Sequence, residues 1–230
     1  MATLHVLRVF AGAGGAHGNK LGVFLKGSDV PIGRRQPTAR ELGFAETVFI
    51  DDAEQGEMRI FTPEVELPFA GHPSVGTAWL LREAGHDVTT LRPPAGKLRV
   101  RQEAELTWIA ARPEWAPPFE YVELTSAAEV DALGGAPDGL GWAYCWAWLD
   151  EAAGTVRARS FVPEAGIAED EATGSAALAL SGQVGRQVTV RQGRGSELFA
   201  RPLEDGSVEV GGRVVLDAVR DDWVVRPGGT

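Results

Sequence analysis

Residues 3–10 are rich in Leu and Val with polar breaks at His5 and Arg8, a pattern that predicts a strand. A glycine-rich loop, AGAGGAHGNK, follows, and then a second apolar stretch, LGVFL. The segment TARELG predicts a short helix capped by Thr38 and stopped at Gly43. AETVFI, strand-like from Thr47, and MRIFTPE carry the β-branched and aromatic content of strands. At GHPSVGTAWLL, residues 71–81, the period changes. Val75, Ala78, Trp79 and Leu81 fall at helical spacing, and Gly85 supplies a stop. No charge occurs from Pro73 to Leu81, and a helix that is apolar on every side is a buried one.

The second half repeats this order. FTPE at 61–64 recurs as FVPE at 161–164, and each is followed by a glycine, a small or polar residue and an uncharged helix. The second helix is GSAALALSG, residues 174–182. Between the halves, RPEWAPPF at 112–119 carries three prolines and reads as the linker. AAEVDALG predicts a short helix and GWAYCWAWLD a strand. Trp108, Trp142, Trp146 and Trp148 read as packing, in the core or at a dimer interface, because large aromatics dominate buried area.

Composition narrows the function classes. The chain has 230 residues, 44% hydrophobic and 23% charged, which places it among globular proteins with a sizeable core. Its 29 glycines and 14 prolines call for many turns and close backbone approaches. A net charge of −10 argues against nucleic acid or an anionic membrane as partner. The single cysteine, Cys145, has no internal disulfide partner, and no Cys/His cluster has metal-ligand spacing. A cytoplasmic home is the expectation, with no membrane segment, because 142–149 is too short to span a bilayer and His5 and Arg8 interrupt any signal-like stretch. GAGG near residue 12 lacks the strand and helix context of a nucleotide loop.

Candidate chemistry collects at the two buried helix starts. The first-turn amides of a helix have no intrahelical acceptor, and the helix dipole favours an anion there. If the halves are related by an approximate twofold, Gly71-His72 and Gly174-Ser175 converge on one cleft and hold a small carboxylate, with the glycines letting it approach the backbone. The alternative is that Pro73 and Ser175 simply cap two core helices. His72 lies at the first start and Asp170 four residues before Gly174, while Glu46 stands between a helix stop and a strand. Taken alone, His72 and Asp170 read more readily as caps and Glu46 as a solvated charge.

Together, GNKLGVFL, GFAETVFI, FTPEVELPFAGHPSVGTAWLL, DEATGSAALAL and QGRGSEL followed by VEVGG resemble the PhzF family, the phenazine-biosynthesis-like proteins of the diaminopimelate epimerase fold. The resemblance runs over most of the chain. It implies an α+β fold of two similar lobes, 1–112 and 113–230, each wrapping a mixed sheet around a central buried helix. The active site would lie in the cleft between them. The second lobe is short for the family, and its last strands are free to cross back to the first. It also implies a homodimer without metal or organic cofactor, and an isomerase related to one acting on a dihydro-hydroxyanthranilate. By resemblance Glu46 is the acid/base, His72 and Asp170 position substrate, and Asn19, Gly71, Gly174 and Ser175 bind it.

Two departures matter. Related racemases use two cysteines ahead of the helices, where this chain has Ala70-Gly71-His72 and Ala172-Thr173-Gly174, so two-thiol chemistry has no thiolate to use. Lys20 also replaces the family's usual proline. The sequence therefore points to a proton-moving isomerase on a small cyclic or conjugated carboxylate. A binding or regulatory protein on the same fold is the alternative.

Overall fold

The computed structural model describes residues 1–224. Strand β1 (Ala2–Ala11) is buried along most of its length and forms the middle of the sheet, antiparallel to β2 (Asn19–Phe24) on one side. From β2 the sheet continues through β3 (Glu46–Asp52), parallel to it, and then antiparallel through β4 (Glu57–Phe61) and β5 (Glu66–Leu67). Helix α1 (Ile32–Leu42) lies between β2 and β3, and helix α2 (Gly71–Glu83) follows β5. Three more strands complete the first half: β6 (Thr90–Leu91), β7 (Leu98–Glu103) and β8 (Leu106–Ala111).

The second half repeats the plan. Strand β9 (Glu120–Glu123) leads through helix α3 (Ala127–Ala132) to β10 (Ala143–Asp150), parallel to β9. β11 (Thr155–Val162) returns antiparallel, a short β12 (Ile167–Asp170) follows, and helix α4 (Gly174–Val184) comes next. β13 (Val188–Gln192), β14 (Ser196–Pro202) and the long β15 (Val208–Trp223) close the chain. Each half is thus a parallel pair, an antiparallel return, a short strand and a helix. The registers match too: Thr47 faces Phe61 across β3 and β4, as Ala143 faces Phe161 across β10 and β11.

β15 joins the halves into one hydrogen-bonded path. Its start, Val208 to Gly212, pairs with β8, and Val208 to Gly211 also pairs with β14. Its remainder pairs with β1. Helix α2 packs on β1, β2, β8 and β15, and α4 packs on β14, β15 and the turn at Pro113–Trp115. Ten of the thirteen residues of α2 are buried, as are the first eight of α4, so neither helix has a solvent face to display as an amphipathic stripe. No helix among the described residues is long and apolar enough to cross a membrane.

Three sequence expectations change here. Helix α1 starts at Ile32, so Thr38 is a buried interior residue rather than a cap. Pro37 is tolerated because the acceptor it leaves idle belongs to exposed Gly33, and because Arg35 anchors the helix on Asp51 and on the Val30 and Gly27 carbonyls. The proline-rich 112–119 segment is packed rather than a loose linker, with the Trp115 ring 6.3 Å from that of Phe69. Of the four tryptophans, Trp108 and Trp146 are core residues, whereas Trp142 lines the cavity described below.

The glycines at the two helix starts face each other. A Cβ on Gly71 would lie 2.5 Å from the Gly174 carbonyl carbon and the Ser175 nitrogen, and one on Gly174 would lie 3.0 Å from the His72 nitrogen. The missing side chain of Gly71 therefore makes room for the facing backbone, and that of Gly174 for the Phe10 ring and the His72 amide, a packing reason for glycine at both positions. Gly71→Ala should lower stability by at least ~1–3 kcal/mol through overpacking. Gly33→Ala, at an exposed helix position with open space, should raise it by roughly 0.5–1 kcal/mol. Urea unfolding of both variants checks this; an unchanged midpoint for Gly71→Ala would mean the two starts do not touch.

Candidate active site

Four chain segments deliver the candidate residues to one place. Glu46 opens β3 just after the left-handed Gly43 that ends α1. Asn19 opens β2, His72 is the second residue of α2, and Asp170 closes β12 three residues before the Thr173 cap of α4. All four are buried. Asn19 Nδ2 donates to Asp170 Oδ1 at 2.6 Å and to the Ala172 carbonyl at 3.1 Å, and Thr173 Oγ1 donates to Asp170 Oδ2 at 2.6 Å. Glu46 Oε2 lies 3.3 Å from His72 Nδ1. Glu46 Oε2 and His72 Nε2 are buried without hydrogen-bond partners, a costly state for polar atoms outside a site that uses them.

Burial sets the charges. It pushes the Glu46 carboxyl well above the usual carboxylate range, and the charge of Asp170 pushes the same way. Burial also raises Asp170 to about 6, against the Thr173 and Asn19 hydrogen bonds that favour its charged form. His72 is lowered to about 3 by burial, despite the nearby Lys20 backbone that favours the charged ring, so the imidazole is neutral. The 3.3 Å contact is therefore not an ion pair at neutral pH. It joins a neutral imidazole to a carboxyl that holds its proton readily.

Glu46, Asp170, Thr173 and Ser175 line a small cavity of about 20 Å³, room for roughly one water molecule, so a larger ligand has to widen it on entering. The rest of its lining is mostly apolar and includes Phe119, Trp142, Leu67 and Ile167. Among the described residues, no lysine or arginine lines it. Asn19, His72, Gly71 and Gly174 stand behind the wall rather than in it. The N-cap residues, Ala70 and Thr173, make no side-chain cap hydrogen bond, so Pro73 and Ser175 do not close the helix ends as simple caps would. The positive ends of two dipoles thus lie beside a cavity lined by two acids, the hydroxyl residues Thr62, Thr173 and Ser175, and apolar groups.

Cys145 is remote from this chemistry. Alternation along β10 turns Tyr144 toward Gln192 and Cys145 toward Phe161 and Leu133 on the other face, where burial raises the thiol. Sequence reasoning missed Thr62 and Trp142 in the cavity wall, and Thr173, Gln192 and Tyr144 behind Asp170. Thr173 and Gln192 fall inside segments already singled out, DEATGSA and QGRGSEL, which was the available signal. Tyr144 left none beyond its strand.

A duplicated α+β plan with two buried helices meeting end to end defines the diaminopimelate epimerase-like class. The structure aligns with a predicted epimerase of Pseudomonas aeruginosa at TM-score 0.75 and 26% identity, covering 96% of this chain and 99% of that one. A phenazine biosynthesis PhzC/PhzF protein of Clostridium difficile gives TM-score 0.77 at 20% identity, covering 97% and 100%. The family model for phenazine biosynthesis-like proteins, PhzC-PhzF, matches residues 8–139, more than half the chain. Trans-2,3-dihydro-3-hydroxyanthranilate isomerase of Pseudomonas aeruginosa is 31% identical over 85% of this chain and 90% of its own length. This chain belongs to the PhzC-PhzF family.

The raised carboxyls make stability depend on pH with a definite sign. Between its ordinary and its folded pKa, each group loses a proton in the unfolded chain that the folded chain keeps, so stability falls as pH rises. For Asp170 that window runs from 3.8 to about 6, and the full penalty above it is on the order of 3 kcal/mol. The window of Glu46 opens near 4.5 and extends well above it. Glu46→Gln should therefore melt higher than the natural protein, by a margin that grows from pH 4.5 upward and then levels off. Thermal unfolding between pH 4 and 9 measures the margin; one independent of pH would show that Glu46 is not held protonated.

Proposed function

We propose that this chain is a PhzF-type isomerase that moves a proton between carbons of a small cyclic or conjugated carboxylate, of the trans-2,3-dihydro-3-hydroxyanthranilate class, with Glu46 as the acid/base. The observation that carries the reading is the buried Glu46 carboxyl, held to a raised pKa inside a cavity that two uncapped helix starts adjoin. In the base form, Glu46 takes a proton from one substrate carbon. The charge left behind spreads through the conjugated system into the substrate carboxylate, which the amides near Gly71 and Ser175 stabilise. Glu46 then returns the proton to a second carbon. Atoms and electrons balance within the substrate, so the reaction asks for no cofactor.

The second half supports a single-base reaction. The register that equates Thr47 with Ala143 also equates Glu46 with Trp142, and both line the cavity. At the position equivalent to Glu46, where a symmetric two-base racemase needs its second titratable group, this chain offers an indole. The other lining acid, Asp170, is taken up by hydrogen bonds from Asn19 and Thr173. His72, neutral, and Asp170, charged, orient the substrate and Glu46.

Glu46→Gln should leave ligand affinity intact and reduce exchange of a substrate proton with heavy water by at least ~100-fold. His72→Asn and Asp170→Asn should weaken binding and turnover together. Because the base form of Glu46 starts the reaction, kcat/KM should rise with pH across its raised pKa. Normal turnover by Glu46→Gln would refute the assignment and make His72 the next candidate. Ligands that bind without any proton exchange would support a binding protein instead.

A further inference from the structure

Behind Asp170 lies a chain of buried polar groups that the reaction as proposed does not use. Tyr144 and Gln192 are fully buried. Gln192 Nε2 donates to the Asp170 main-chain carbonyl at 2.9 Å and to Thr173 Oγ1 at 2.8 Å, and Tyr144 Oη donates to Gln192 Oε1 at 3.2 Å.

The directions of these bonds follow from chemistry alone. A main-chain carbonyl only accepts, so the Gln192 atom facing Asp170 O must be the amide nitrogen. Its oxygen then faces Tyr144, whose hydroxyl must donate. The second amide hydrogen points at Thr173 Oγ1, which obliges the Thr173 hydroxyl to turn its own hydrogen to Asp170 Oδ2. Asn19 obeys the same logic on the other oxygen. The Ala172 carbonyl identifies the Asn19 nitrogen, whose remaining hydrogen goes to Asp170 Oδ1. Both hydrogens of Asn19 are then committed, so His72 Nδ1, 3.5 Å away, is left to Glu46.

We infer that Tyr144 and Gln192 are positioning residues, fixing the direction of a hydrogen-bond chain that makes Asp170 an acceptor at both oxygens and keeps the exchangeable proton of the cavity on Glu46. A proton on Asp170 would meet a hydrogen already aimed at it from Thr173 or Asn19, whereas Glu46 Oε2 meets none. Of the other titratable groups facing the pair, the charges of Glu171 and Glu169 raise Asp170 and so work against the hydrogen-bond chain, which has to outweigh them. Neutral His72 approaches from α2. Glu171 is held by the Arg194 amide and Ser196, and Glu169 by Arg159. Tyr121 from β9 and Arg157 from β11 act on Tyr144 rather than on the carboxyls. This inference rests on the isomerase reading only for its consequence, which is that Glu46 and not Asp170 carries the proton moved.

The test is a carbon-13 carboxyl titration by NMR of protein labelled at Asp Cγ and Glu Cδ, with Asp170→Asn and Glu46→Gln assigning the two signals. In the natural protein Asp170 should deprotonate first and Glu46 later. Thr173→Val removes a donor outright and should raise the Asp170 midpoint by about 1 pH unit, the equivalent of one hydrogen bond to a charged group. Gln192→Leu, which frees the Thr173 hydroxyl to turn away, should raise it by a smaller amount and lower the Glu46 midpoint in step. Tyr144→Phe, the mildest change, should shift both the same way, and it decides the matter if Gln192→Leu does not fold. Unmoved midpoints in folded Gln192→Leu or Tyr144→Phe protein would overturn the relay, as would Asp170 titrating after Glu46 in the natural protein. These titrations need no substrate. Exchange surviving in Glu46→Gln would therefore sink the isomerase reading and leave the relay standing.

Discussion

The contact on which the rest of the structure depends is the meeting of two helix starts with no side chain between them. Gly71 and Gly174 let the backbones of α2 and α4 touch, and no other residue fits at Gly71 without moving the facing backbone. Phe10 braces the contact from β1. Its ring lies where a Gly174 Cβ would stand 2.9 Å from it, and its backbone sits at φ 62, a strained conformation for a bulky residue. The contact places His72 beside the start of α4 and lets Asn19, from β2, reach both Asp170 and the Ala172 carbonyl. Four segments far apart in sequence thus share one small volume.

That volume is electrostatically unfavourable by design of its parts. Two carboxyls are buried near each other, no lysine or arginine among the described residues lines the cavity, and the adjacent histidine is neutral. The conflict resolves by proton retention rather than by pairing, which is the state a group needs if it is to exchange a proton with carbon near neutral pH. The strain at Phe10 and the penalty at the carboxyls are both borne by the same large core, in which α2 and α4 are covered on nearly every side.

Much of this was legible in the sequence because burial leaves a compositional trace. Uncharged runs from Pro73 to Leu81 and from Ser175 to Gly185 announced the two core helices, and the FxPE repeats fell where β4 and β11 end. Glu46, His72 and Asp170 stood out because each interrupts or borders an apolar element. The start of α1 was not legible, since its anchor is Arg35 reaching Asp51, a tertiary contact, and Pro37 reads locally as a beginning. Nor was the double role of β15, whose pairing with β8, β14 and β1 is decided by partners up to two hundred residues away. The Tyr144–Gln192–Thr173 chain left almost no signal, because a buried tyrosine in an aromatic strand and a glutamine at a strand end look like ordinary packing until the fold brings them together.

Duplication explains the geometry, and its breakdown explains the chemistry. A symmetric pair of halves would place like groups on opposite walls of the cavity, the arrangement suited to removing a proton from one side of a carbon and adding one from the other. Here the equivalent positions hold Glu46 and Trp142, one titratable and one an apolar slab. The helix starts remain equivalent, each opening on a buried glycine, and in the proposed reaction both serve to hold one anion. The positions of Glu46 and Trp142, by contrast, differ in whether they can carry a proton. In the reaction proposed above, a titratable Glu46 with an indole at the equivalent position suits a substrate that is held still while its own proton is carried from one carbon to another.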